Sequence, residues 1–124
     1  LPAPLRYGPL AMGRDDETIL HITTAAAWAK AREDGELTTP SLADEGFIHC
    51  STFAQVESTA DRIFAGSGEL LALEVEVARL TSPLKWERAT DVGDEFPHIY
   101  GPLNVDAVTG TRPLTESADG YRLG

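Results

Sequence analysis

A single cysteine, Cys50, stands in 124 residues. An internal disulfide is therefore excluded, and a compartment that keeps thiols reduced is favoured, so the expected location is cytoplasmic. Methionine is as scarce, with Met12 alone. That makes Met12 the expected native start, with residues 1–11 foreign to the natural chain. Residues 1–17 then read as an N-terminal extension ahead of one catalytic-like domain over 18–124. Basic residues number 10 against 20 acidic ones, a formal net charge of -10. Such a field repels phosphate backbones, and no nucleic-acid partner is expected. No apolar run reaches the roughly 20 residues that span a bilayer, so no membrane partner is expected either. "LPAPLRYGPLA" lacks the charged start and apolar middle of a signal peptide. The length leaves room for one core and no second domain.

What is present alternates between helical and extended patterns. "TILHITT" reads as a strand running into a helix cap. "TAAAWAKARED" from Thr24 is rich in helix formers and meets a stop at Gly35. "TTPSLADEG", punctuated by Pro40 and Gly46, reads as loop. After "FIHC", Thr52 and Gln55 fit a capping box, and Phe53, Val56, Ala60, Ile63 and Phe64 recur at helical spacing up to Gly66. "ELLALEVEVARL" alternates as a half-buried strand, with Leu73, Val75 and Val77 on one face and Glu74 and Glu76 on the other. "LKWERA" is a short strand or edge piece, "TDVGDEFP" an acidic loop, and "VDAVTGTRPL" the last strand. Two main helices with a strand-rich second half predict a small single α+β domain.

Only three histidines occur, and each is followed two residues later by a hydroxyl: His21 and Thr23, His49 and Ser51, His98 and Tyr100. In a strand, residues two apart share a face, so each segment presents an imidazole beside a hydroxyl. Imidazole serves as acid, base or donor near neutral pH, and three such pairs would line one polar cleft. The plain alternative is three satisfied core or strand-end histidines. Cys50, next to His49, should face the opposite side and act as a buried apolar residue. Ser51 lacks the glycine-flanked elbow of hydrolase nucleophiles. "FPHIYGPLN" is the most specific tract, a constrained backbone carrying His98, Tyr100 and Asn104. Glu87, beside Trp86, is the carboxylate best placed to reach the cleft. No His-x-His or His-x-x-x-His pair exists, and no metal is expected.

"LHITTAAAWAKAREDGE", "SLADEGFIHCST", "LLALEVEVARL", "WE" and "FPHIYGPLN" resemble, in order and spacing, the bacterial family called domain of unknown function 952, over Ile19 to Leu114. That family is similar to the ADP-ribosyltransferase group. The resemblance implies a split, mostly antiparallel sheet and a central cleft that binds NAD. It also implies that His21 and Thr23 hold the nicotinamide ribonucleoside end, and that His49 and Ser51 occupy the second-strand Ser or Tyr position. The late glutamate of the group has no counterpart in "FPHIYGPLN", which offers His98, Tyr100 and Asn104 instead. Distant members act on RNA through basic residues that this acidic chain lacks.

The expected function is thus an enzyme with an ADP-ribosyltransferase-like fold acting on a small nucleotide or other small metabolite. His21, His49, His98, Tyr100 and Glu87 form the expected catalytic set, with Glu87 stabilising a cationic centre. Thr23, Thr24, Phe47, Ser51, Gly101 and Asn104 form the expected ligand-binding set. NAD is a cofactor candidate by resemblance alone, and the partner expected is a small-molecule ligand. Two rivals remain: an NAD-independent acid–base enzyme of cyclisation or isomerisation type, and a non-catalytic metabolite-binding module.

Overall fold

In the first strand, β1 (Thr18–Thr23), the five residues after Thr18 are all buried, although a strand with one wet face would alternate. The tertiary arrangement explains this. The structure, a computed structural model, describes residues 17–124. The expected start at Met12, residues 1–11 and all but the last residue of the 1–17 extension lie outside the described residues. β1 pairs antiparallel with β4 (Leu70–Glu76), which is followed outward by β8 (Val108–Ser117) and β9 (Gly120–Leu123). Leu20 and Ile22 point into one apolar cluster with Leu70, Ala72, Leu114 and Tyr121. Ile19, with Leu73 and Val75, points into another. Covered on both sides, β1 separates two cores.

One cover is α3 (Val56–Phe64), which inserts Val56 and Ala60 into the first cluster. The other combines α1 (Ala25–Asp34), through Ala31, with a second sheet of β3 (Ile48–His49), β6 (Asp94–Ile99) and β5 (Leu84–Ala89). That sheet buries Ile48 and Ile99, with Leu84 and Trp86 packed against them. A two-stranded pairing of β2 (Glu36–Leu37) with β7 (Leu103–Asn104) completes the antiparallel set. The two main sheets meet where the chain leaving β3 touches β1: Leu20 and Ser51 exchange backbone hydrogen bonds of 2.8 Å in both directions. The expected small α+β domain of mostly antiparallel strands is what forms.

Local chemistry accounts for the helix ends. Thr24 accepts from the Ala27 N–H at 3.1 Å, and Gly35, left-handed at φ 86, returns its own N–H to Ala31. The Thr52–Gln55 capping box forms in both directions, at 3.0 and 3.2 Å, one turn ahead of α3. Three expectations need correction. "TTPSLADEG" contains a helix, α2 (Pro40–Glu45), capped by Thr39 with Pro40 in its first turn and Gly46 closing it; a helix this short shows only its punctuation. The acidic loop is the turn of the β5–β6 hairpin, and β6 begins inside it at Asp94. "VDAVTGTRPL" is not the last strand, because β8 runs on to Ser117 and β9 follows. Among the described residues no helix is long and apolar enough to cross a membrane.

Candidate functional site

On β1, His21 and Thr23 follow Ile19 onto the face turned toward the second sheet, and there the core opens into a pocket of about 700 Å³. Its walls come from β1, the first turn of α1, α2, β3, α3 and β6. Such a volume suits a small organic ligand. The structure brings His21, His49 and His98 to this one opening, together with Thr23, Thr24 and Ser51.

His21 is the buried member, only 7% exposed. Its Nδ1 lies 2.8 Å from the His49 carbonyl oxygen. A carbonyl only accepts, so Nδ1 carries the proton and Nε2 keeps a lone pair. Burial pushes this imidazole below its ordinary pKa; the carbonyl hydrogen bond opposes the shift and the nearby His49 adds to it. At neutral pH His21 is therefore an uncharged ring whose Nε2 has no partner among the described residues. Thr23 and Ser51 are buried beside it, and Ser51 hydrogen-bonds Thr59 at 3.3 Å.

His49 and His98 are direct cross-strand partners in the β3–β6 pairing. Residues opposite each other on one face of an antiparallel pair stand close enough to touch, and here the rings meet edge to face, 5.2 Å between centroids. Phe47 stacks on His98 at 4.0 Å and 14° and meets His49 edge-on at 4.7 Å. His98 Nδ1 donates to Glu87 Oε1 at 2.7 Å, and the Tyr100 hydroxyl donates to the same oxygen at 2.6 Å. The Tyr100 hydroxyl, followed by His98, holds the Glu87 carboxyl below the usual carboxylate range. Glu87 in turn raises the Tyr100 hydroxyl. This arrangement fixes the His98 tautomer and leaves Nε2 as the nitrogen available to a ligand. His49 is looser: its side chain is 53% exposed, and Nε2 lies 3.3 Å from Glu45 Oε2.

Some expected site residues stand elsewhere. Glu87, expected at a cationic centre, and Tyr100 do not border the pocket; Glu87 accepts from both His98 and Tyr100 on the side of His98 away from it. Phe47 acts through its rings on the two imidazoles. Gly101 and Asn104, expected at the ligand, do not border this pocket either. The Gly101 backbone passes so close to Ser82 that a Cβ would sit 2.5 Å from Oγ. The Asn104 amide donates to Arg79 O and Asp106 Oδ1, and its oxygen accepts from Thr81. Cys50 turns into the core with Ile48, and burial pushes its thiol far up.

Sequence reasoning missed Arg62, Thr39, Ser41, Glu45 and Thr59, all of which border the pocket. Three of them lie on or beside α2, a segment read as loop. Arg62 belongs to a helix whose apolar face drew attention away from its polar one; its guanidinium lies 5.8 Å from the Phe96 ring centroid. Among the described residues no group of three or more His, Cys, Asp or Glu is arranged to hold a metal ion.

The family model described as "Protein of unknown function (DUF952)" matches residues 22–111. The chain belongs to the DUF952 family. Protein CC0527 from Caulobacter crescentus is similar to this DUF952 chain: its crystal structure shares 37% sequence identity, with a TM-score of 0.75, covering 85% of this chain and 92% of that one. The solution structure of CC0527 gives 37% identity and a TM-score of 0.71, covering 84% and 90%. No curated protein matches the chain.

Proposed function

We propose that this DUF952 protein is an enzyme with an ADP-ribosyltransferase-like fold, acting on a small nucleotide or other small metabolite held in the pocket by acid–base chemistry. The observation that carries the reading is the setting of His98. Its Nδ1–H is committed to Glu87, its ring is clamped by Phe47, and its remaining nitrogen, with no partner among the described residues, is available for a proton transfer. Clamping of this kind costs nothing at the moment of reaction and keeps the base aligned. His49, across the strand pair, is the complementary acid or donor. Glu87 is a positioning residue, as is Tyr100, which satisfies the other demand on the same carboxylate oxygen.

NAD is the cofactor that the ADP-ribosyltransferase likeness implies, and the polar floor fits a nucleoside: His21 Nε2 accepts from a hydroxyl or amide, and Thr23 and Ser51 flank it. Those residues would hold it, and the chemistry it supplies when bound is departure of nicotinamide from the ribose. One observation favours the NAD-independent alternative of cyclisation or isomerisation type. The glutamate on the late strands, Glu87, faces His98 and Tyr100 and does not border the pocket.

A melting-temperature screen of nucleotides and small metabolites identifies the ligand, because native-state binding stabilises by mass action. Turnover of that ligand is then compared between the wild type and His98→Gln. Loss of about 10²–10⁴-fold is expected for removal of a general acid or base. Full turnover by a folded His98→Gln protein would overturn the assignment; binding without turnover by the wild type would leave a binding module.

A further inference from the structure

Among the described residues, Arg62 is the one lysine or arginine that borders the pocket. Five other cations are engaged elsewhere: Lys30 with Asp34, Arg79 with Glu76, Arg112 with Glu74, Lys85 over the Tyr100 ring and Arg32 over the Trp28 ring. Arg62 forms no ion pair among the described residues and only rests on the face of Phe96. In a chain with a net charge of -10, an arginine without a carboxylate at the mouth of a pocket stands out. Glu45 and Asp91 border the same pocket, and Glu45 is taken by His49.

The first turn of α1 also opens on this pocket, through Thr24 and Ala27. Thr24 satisfies the Ala27 N–H, whereas the N–H groups of Ala25 and Ala26 have no partner among the described residues. No acidic side chain occupies that turn, so its positive end is uncompensated. Thr23 supplies an independent sign of a ligand. It is 9% exposed, borders the pocket, and its hydroxyl makes no hydrogen bond to another described residue. A buried hydroxyl facing a pocket without a partner is a group awaiting one.

We propose that the ligand is an organic phosphate, its phosphoryl group held by Arg62 and the first turn of α1. This deepens the reading of the pocket as the substrate site, and rests on it. The chemistry favours phosphate over carboxylate. The guanidinium fork, two helix N–H groups and a hydroxyl offer more donors than two carboxylate oxygens use, and match three phosphoryl oxygens. Arg62 also offsets the two carboxylates at the rim, which would otherwise repel an anion. The organic part then extends toward the imidazoles, where the His21 lone pair accepts from a neutral donor and turns the anionic end away.

The test is titration of the full chain with pyrophosphate, inorganic phosphate and acetate at low ionic strength, followed by amide chemical shifts. Pyrophosphate and phosphate are expected to bind more tightly than acetate and to shift the amides of residues 24–27. Arg62→Gln should weaken pyrophosphate at least tenfold and Arg62→Lys by less, while Arg32→Gln, at the far end of α1, binds as the wild type does. His98→Gln should bind pyrophosphate normally while losing turnover, so the two readings fail separately. Equal binding by Arg62→Gln and wild type, acetate binding as tightly as phosphate, or no shift in the first turn of α1 would each overturn the proposal. Melting curves in buffer alone establish that each variant is folded.

Discussion

The buried His21 ties stability to pH in a way that a single substitution can isolate. In the unfolded chain this imidazole titrates near the ordinary 6.5, whereas burial holds it lower in the fold. Below pH 6.5 the unfolded state therefore takes up a proton that the folded state refuses. The sign follows: stability is full above that pH and declines as pH falls toward the depressed folded value. The slope reaches at most about 1.4 kcal/mol per pH unit. An imidazole that stays neutral throughout would cost the protein about 2 kcal/mol at pH 5. The carboxylates with depressed values, Glu87, Asp94 and Glu116, have ordinary values of 4.5, 3.8 and 4.5. Their losses begin below that window. His21→Asn keeps an N–H to meet the His49 carbonyl but cannot titrate. Urea unfolding from about pH 7.5 to about pH 5 should show a falling wild-type curve and a flatter one for the variant, offset by the packing lost with the ring. Parallel curves would refute the neutral, buried assignment of His21.

Leu20 is fully buried between the sheet and α3, so Leu20→Ala should lower unfolding free energy by about 2–5 kcal/mol in denaturant titration. Glu116 accepts from the Gly66 and Gly68 N–H groups at 2.6 and 2.9 Å, which hold its carboxyl below the usual range. That contribution is present above about pH 4.5 and is lost as pH falls through the depressed value, so Glu116→Gln should reduce stability at neutral pH and flatten the acid limb of the melting curve. At Gly101 a new Cβ would meet Ser82 Oγ at 2.5 Å on a backbone with φ 152. Gly101→Ala should cost about 1–3 kcal/mol by the same titration, without removing any group from the pocket.

Much of the architecture was legible because local physics writes it locally. Thr24 and Gly35 mark the ends of α1, the Thr52–Gln55 pair announces α3, and the alternation in "LLALEVE" describes β4. α2 escaped because six residues show no period, only a proline and a glycine that also belong in loops. β9 escaped because "GYRL" has too few residues to alternate visibly; its partner β8 and the carboxylates of α3 define it, with Asp61 and Glu57 accepting from the Tyr121 and Leu123 N–H groups.

The sequence by itself determined the pairs: each imidazole with a hydroxyl two residues on, a thiol facing away from His49, and an acidic chain with few cations to spare. Those relations follow from the two-residue period of a strand and from charge arithmetic, neither of which needs a partner strand. The tertiary structure alone decided the rest. Register placed His49 opposite His98 and turned Glu87 behind that imidazole instead of toward the pocket, and the packing of α3 brought Arg62 to the rim. These contacts span 11 residues between Glu87 and His98 and far more between the strand pairs. A side chain's neighbours at that separation are chosen by how two buried faces pack, and no local pattern records that choice.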